Sequence, residues 1–293
     1  YWDDFFALIG LKDAASLAVV VGDDERAASV ATLRDAFRSD LYASIARAMA
    51  FHKVDYIPGS VELGDLDPTS TAIAVAPGDE LPYLPQPALT RTFERYYDHA
   101  QEYLRGTGRS DAYTPYELRN VEVLVRLGQR ERAYQLLESL VADQRPAPWN
   151  QWPEIVWRDP TAPQFIGDMP HTWVGSGFIL SLRSMFAYER EQDRALVLAA
   201  GLPAAWVMSE CGVGVRRLPT HYGVLSYSLW SEGLGTLRLK LSGDLSMPPG
   251  AIVVTPPLPR PLKAVSVNGK SLERFAPDSA TVDEFPADVT LEY

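Results

Sequence analysis

Apolar positions recur at helical spacing through the first two-thirds of the chain and alternate with polar ones in the last third. Phe5, Leu8, Ile9, Ala15 and the run from Leu17 to Val21 follow Asp3 and Asp4, whose charge suits a helix N-terminus. Gly22 closes that helix. Asp23-Asp24-Glu25 opens a second one, of roughly 28 residues, through Leu33, Phe37, Leu41, Ile45 and Met49 to about His52. Asp67 ahead of Pro68 reads as an N-cap with proline at the first helical position, starting a short helix into the run 72–76. Helices are expected over about 88–105, 114–127 and 129–143. Thr114-Pro115-Tyr116-Glu117 forms a capping box and Leu127-Gly128-Gln129 a tight helix–helix turn. A last helix is expected over roughly 173–190.

From Ala195 the apolar period is two. Strands are expected at 196–199, 206–207, 223–230, 236–241, 251–254, 263–267, 281–282 and 289–293. Glycine, proline and Asn-Gly turns separate them at the spacing of a β-sandwich. Val267-Asn268-Gly269-Lys270 is the strongest hairpin signal. The fold expected is mainly α with a β domain: a partial (α/α)6 toroid of antiparallel helical hairpins over 1–192, then a C-terminal β-sandwich over 193–293. About four hairpins cannot close a six-hairpin ring, and the apolar face left open calls for a missing N-terminal segment or a second chain.

Charge and composition narrow the partners. The 293 residues carry 27 Lys+Arg against 38 Asp+Glu, a net charge of −11, with 46% hydrophobic and 22% charged positions. These are globular values. An acidic chain without basic runs is unsuited to nucleic acid or to an anionic membrane surface. The longest apolar stretch, Ala14 to Val21, is broken by Ser16 and too short for a membrane span. Cys211, the single cysteine, excludes an internal disulfide and a cysteine metal cage. The scattered His52, His99, His171 and His221 lack metal-ligand spacing, so no metal is expected. No phosphate loop, dinucleotide fingerprint or Gly-x-Ser-x-Gly elbow occurs, so no cofactor is implied. Cytoplasm and bacterial periplasm are both compatible with this cysteine usage. The chain opens on Tyr1 without methionine, and a longer polypeptide is expected.

The richest chemistry lies in the loop 145–170. Trp149, Asn150, Gln151, Trp152, Glu154 and Trp157 fall within nine residues. Sugars present alternating hydroxyls and apolar C–H faces, and are held by aromatic platforms beside amides and carboxylates. The alternative is that these tryptophans only pack the loop onto the helices. Glycoside cleavage with inversion needs two carboxyls, one to protonate the leaving group and one to activate water. Glu154, among tryptophans, is the leading candidate base, against the alternative of a solvated loop glutamate. Asp3 and Asp4, beside Trp2, are candidates for the acid or for helix capping. They sit about 100° apart on a helix, so at most one faces inward. Asp67 is expected to cap its helix, leaving Glu62 and Asp65 for sugar hydroxyls; the trio does not match a calcium loop. Asp168 and His171 flank Pro170, and His171 suits a sugar hydroxyl, a phosphate or a helix cap.

Four connectors resemble the catalytic-face loops of six-hairpin glycosidases. They are Tyr1-Trp2-Asp3-Asp4-Phe5, the stretch from Glu62 to Thr71, Trp149-Asn150-Gln151-Trp152-Pro153-Glu154, and Gly167-Asp168-Met169-Pro170-His171-Thr172-Trp173. That superfamily includes bacterial α-L-rhamnosidases, glucoamylases, trehalases and inverting disaccharide phosphorylases. The resemblance covers about residues 1–190 and implies a glycoside or oligosaccharide substrate, with Glu154 as general base. Rhamnosidase-like members carry Trp-Glu directly, whereas Pro153 intervenes here. A phosphorylase would need a basic group near the base, for which Arg158 is available. A third outcome is a non-catalytic carbohydrate-binding subunit on a degenerate toroid.

Overall fold

The computed structural model describes residues 1–104, 112–157, 159, 161–162, 167–233 and 235–293. They form two compact units, one of 1–123 with 139–177, the other of 124–138 with 178–293. Periodicity alone places a single boundary at 192/193, whereas these units are discontinuous in sequence.

In the first unit, α1 (Trp2–Val20) and α2 (Asp24–His52) form a hairpin through Gly22, whose φ of 77° belongs to the left-handed region. Asp23 caps α2, accepting from the Arg26 amide. The buried faces are those the periodicity marks: Phe5 and Leu8 on α1, Leu41 and Ile45 on α2. Asp67 caps α3 (Pro68–Val75) as expected, accepting from the Thr69 and Ser70 amides. α4 (Ala88–Leu104) buries Leu89, Phe93 and Tyr96. Leu17, Val20, Val21 and Phe51 on the first hairpin are exposed.

The capping box is half formed. A two-residue strand, β1 (Ala112–Tyr113), leads into Thr114, whose hydroxyl accepts from the Tyr116 amide at the start of a 3₁₀ turn, Pro115–Leu118. α5 (Arg119–Arg126) follows. The Glu117 carboxylate, instead of turning back to the cap, accepts 2.9 Å from the hydroxyl of buried Tyr96. Burial pushes its carboxyl up to about 7, against the Tyr96 hydrogen bond, which lowers it. An acid raised from 4.5 to about 7 on folding costs stability progressively as pH rises between those values, and by a constant amount above them. Glu117→Gln is therefore expected to stabilise the protein by about 1–3 kcal/mol at pH 8 and to be neutral at pH 4. Denaturant titrations at both pH values read this; an equal effect at both would remove the titration argument.

α6 (Arg130–Ala142) follows the Gly128 turn. β2 (Val156–Trp157) pairs antiparallel with β1, Tyr113 opposite Val156. α7 (Thr172–Phe186) stops four residues before the expected Arg190. Residues 187–190 are instead β3 (Ala187–Arg190), paired antiparallel with β4 (Ala195–Leu198). Here a strand partner overrides a local apolar pattern that fits either state. Trp206-Val207, expected as strand, is the end of α8 (Ala204–Val207), opened by Pro203 with φ of −70°. The Trp206 ring packs against Tyr134 and Phe186.

The remaining strands follow the alternation: β5 (Val213–Thr220), β6 (Gly223–Ser231), β7 (Thr236–Leu245), β8 (Ile252–Val254), β9 (Ala264–Val267), β10 (Lys270–Ser271), β11 (Ala280–Val282) and β12 (Ala287–Glu292). They make a six-stranded antiparallel sheet ordered β10-β9-β12-β7-β6-β5 and a four-stranded sheet ordered β11-β8-β4-β3, in which β4 and β8 run parallel. Leu225, Tyr227 and Leu229 of β6 and Leu237, Leu239 and Leu241 of β7 are buried at every second position. Asn268 and Gly269, both at positive φ, turn β9 into β10 as the Asn-Gly signal requires.

Candidate functional site

The candidate site lies within the first unit, where three stretches distant in sequence are tied together. The Thr114 hydroxyl donates to the Glu154 carbonyl at 2.7 Å. The Glu154 amide donates to the Asp168 carbonyl at 3.1 Å, Gly167 to Ile155 at 2.9 Å and His171 to Trp152 at 2.8 Å. These bonds strap 152–155 against 167–171 and hold Glu154 beside the start of α7.

Around that strap stands an aromatic cluster. Tyr116 makes edge contacts with Trp2 at 6.0 Å, Trp173 at 6.1 Å and His171 at 5.4 Å between ring centroids. Phe6 packs on Trp2 and Trp173. The Arg119 guanidinium lies 4.5 Å from the Trp2 centroid, 4.7 Å from Tyr116 and 5.7 Å from Trp173. A cation over ring faces is favoured by the ring quadrupole, more so when part-buried. Burial lowers the Arg119 pKa, opposed by Tyr116, Glu122 and Asp67. Its Nη1 is buried without a hydrogen-bond partner among the described residues.

The polar edge of the cluster is a chain of three groups. Tyr116 Oη and His171 Nε2 share a hydrogen bond of 2.9 Å, and Glu154 Oε1 lies 3.9 Å from the same nitrogen. Burial raises the Tyr116 pKa, with Glu154 and Asp168 adding to it and Arg119 opposing. The charges of both carboxylates thus act on one hydroxyl, which stays protonated. The Glu154 side chain is 43% exposed, open to a ligand.

Of the residues singled out from sequence, the structure brings Trp2, Glu154, Asp168 and His171 together. Asp3 and Asp4 are exposed on the first turn of α1. The Tyr1 hydroxyl pKa is raised by burial and by the charges of Asp4 and Glu62, against Ser44 and Arg47. Asp65 is exposed and accepts from Ser60. The tryptophan-rich loop does not act as one platform. Trp149 is 63% exposed, whereas Trp152 is 6% exposed and packs inward, supporting the site through its carbonyl. Trp157 lies in β2 with its Nε1 buried and without a hydrogen-bond partner among the described residues. Asn150 and Gln151 are exposed, Asn150 in a left-handed conformation. Arg158 lies outside the described residues. Phe6, Tyr116, Arg119 and Trp173 were not singled out. Tyr116 and Trp173 stand inside motifs noted for other reasons, and Arg119 carries no local signal.

Among the described residues no group of three His, Cys, Asp or Glu side chains is placed to hold a metal ion. No described helix is long and apolar enough to cross a membrane. No family model matches the chain, and no curated protein matches it in sequence. Among solved structures it is similar to an α-L-rhamnosidase from Dictyoglumus thermophilum, with a TM-score of 0.51 and 11% identity. The match covers 99% of this chain and 31% of that one, so the chain spans under a third of that enzyme's length. The likeness is one of fold alone: a helical part followed by antiparallel-rich sheets.

Proposed function

We propose that this chain carries the sugar-binding and reacting site of a glycoside hydrolase. The observation that supports this best is the grouping of Glu154, His171 and Tyr116 at the edge of a Trp2–Tyr116–Trp173 cluster. Such a site offers C–H platforms and hydrogen-bonding partners to one small polar ligand. In this reading the helical hairpins belong to a partial (α/α)6 toroid and the sheets to a β-sandwich. The exposed Leu17, Val20, Val21 and Phe51 meet a further segment or a second chain that completes the toroid.

Glu154 acts as the base that activates water. Asp168, whose carbonyl accepts from the Glu154 amide and whose charge acts on the same tyrosine, replaces Asp3 and Asp4 as first candidate for the acid. Cleavage proceeds with inversion, read by NMR of the first-formed anomer. An aryl α-L-rhamnoside is the first substrate to try, followed by glucosides and other glycosides. Turnover of none of them would favour a second reading, sugar binding without catalysis, which the exposure of Asp3 and Asp4 also supports.

Both readings share one expectation. Trp173 is 51% exposed, so Trp173→Ala removes a platform without emptying a core. Saccharide affinity is expected to fall by about 1–3 kcal/mol, roughly 10- to 100-fold, with little change in stability. Trp149→Ala, outside the cluster, should leave affinity unchanged. Calorimetric titration checks both, and equal effects at the two positions would count against the cluster as the sugar site.

A further inference from the structure

The second unit contains a cavity of about 340 Å³, lined by the α5–α6 turn, by β3, β4 and β8, and by the segments after β8 and before β11. That is the size of a small-molecule site. It shares no residue with the Glu154 cluster. Three arginines line it, Arg126, Arg130 and Arg190, against one carboxylate, Asp278. In a chain of net charge −11 this is a local reversal of sign.

The three cations are held in different ways. Arg190 is matched by Asp193 through hydrogen bonds of 2.9 and 2.7 Å. Arg130 donates to the carbonyl oxygens of Ala200 at 3.0 Å, Pro256 at 3.1 Å and Thr255 at 2.6 Å. Carbonyls satisfy its N–H groups and fix the fork, yet they carry no net charge to cancel the cation. Burial accordingly lowers its pKa, with Glu131 and Asp278 opposing. Arg126 lies over the Tyr188 ring, 4.4 Å from the centroid, which pins it in the cavity wall.

The remaining lining has two characters. Val197, Val253 and Leu258 are aliphatic, while Ser279 adds a hydroxyl beside Asp278. Guanidinium groups recognise a carboxylate, a carboxylate and a hydroxyl recognise ligand hydroxyls, and an aliphatic wall covers C–H groups. A bare anion would use only the first of these and would be repelled by Asp278. A neutral sugar would bring no charge opposite to the Arg126 and Arg130 guanidinium groups.

We propose that this cavity binds a carboxylated monosaccharide of the hexuronate class, with Arg126 and Arg130 facing its carboxylate and Asp278 a ring hydroxyl. The site is separate from the proposed hydrolytic one and does not depend on it. The test is calorimetric titration of the full chain with D-glucuronate, D-glucose and inorganic phosphate. Glucuronate is expected to saturate within about 10 mM, and the other two to bind at least about tenfold more weakly. Arg126→Gln should weaken glucuronate about tenfold or more, the size of a charge-assisted hydrogen bond. Leu258→Trp fills the cavity from a part-exposed position while leaving every arginine in place, and should abolish binding. Trp173→Ala should leave it unchanged, which separates this site from the proposed sugar platform. Circular dichroism confirms that each variant is folded. No saturation by glucuronate, phosphate binding as tightly as glucuronate, wild-type affinity in folded Leu258→Trp, or loss of binding in Trp173→Ala would each overturn the proposal.

Discussion

Glu154→Gln is expected to reduce turnover of a cleavable glycoside by about 10²–10⁴-fold, the usual size of a general acid–base contribution, while affinity changes little. The amide keeps the shape of the side chain and its place beside His171, 3.9 Å away, but cannot take a proton from water. Tyr116→Phe is the informative companion, because it removes the 2.9 Å hydrogen bond to His171 and leaves the ring contacts in place. If Glu154 alone performs the proton transfer, Tyr116→Phe costs far less than Glu154→Gln. Asp168→Asn and Asp4→Asn then identify the second carboxyl, and of the two only Asp168 adds its charge at the Tyr116 hydroxyl. Retention of most activity by Glu154→Gln would end its candidacy as base.

What could be read from the sequence was what neighbouring residues decide. Asp67-Pro68 starts a helix and Asn268-Gly269 turns a hairpin because cap and turn geometry reside in two or three consecutive residues. The long amphipathic α2 follows from spacing alone. Residues 187–190 escaped because β4, their partner, decides their state, and Trp206-Val207 because two apolar residues carry no period. The site divides the same way. Glu154, Asp168, His171 and Trp2 sit in motifs that stand out locally, but their grouping depends on the strap between 152–155 and 167–171. Tyr116 and His171 meet across 55 residues, and a single arginine at a helix start gives no hint that three rings will surround it. Density of tryptophan pointed to Trp152, which burial assigns to support of the loop; Trp173 takes the exposed place instead.

Glu80 had no sequence signal at all, yet its replacement by alanine is expected to be the most destabilising single change in the first unit. Its side chain is 1% exposed. Arg38 donates to both carboxylate oxygens at 2.8 Å, Tyr42 to one of them at 3.1 Å, and Lys12 lies 3.3 Å away. The group joins α1 and α2 to the segment after α3, where the Glu80 amide also bonds the Ala74 carbonyl at 2.8 Å. Removing the carboxylate takes the shared counter-charge from two part-buried cations, Arg38, which keeps Asp35 at 3.0 Å, and Lys12, which keeps the Gly78 carbonyl, at a cost of about 3–5 kcal/mol. Replacing Glu80 and Arg38 together with leucine and methionine should recover most of that loss, because a matched buried pair gains little over well-packed apolar groups. The pH dependence gives a second reading. Burial alone would raise the Glu80 pKa, but the Arg38 hydrogen bonds and the Lys12 and Arg38 charges outweigh it and hold the group below its ordinary 4.5. A carboxyl depressed on folding contributes its full stability above the unfolded value and loses it as pH falls through the folded one. Wild-type stability should therefore drop below about pH 4.5 more steeply than that of the double variant. Denaturant midpoints for the wild type, Glu80→Ala and the double variant, at pH 7 and pH 3, measure both effects. A Glu80→Ala cost under about 1 kcal/mol at pH 7 would mean that the partners Arg38 and Lys12 already have, Asp35 and the Gly78 carbonyl among them, suffice and that the cluster is not what ties these helices together.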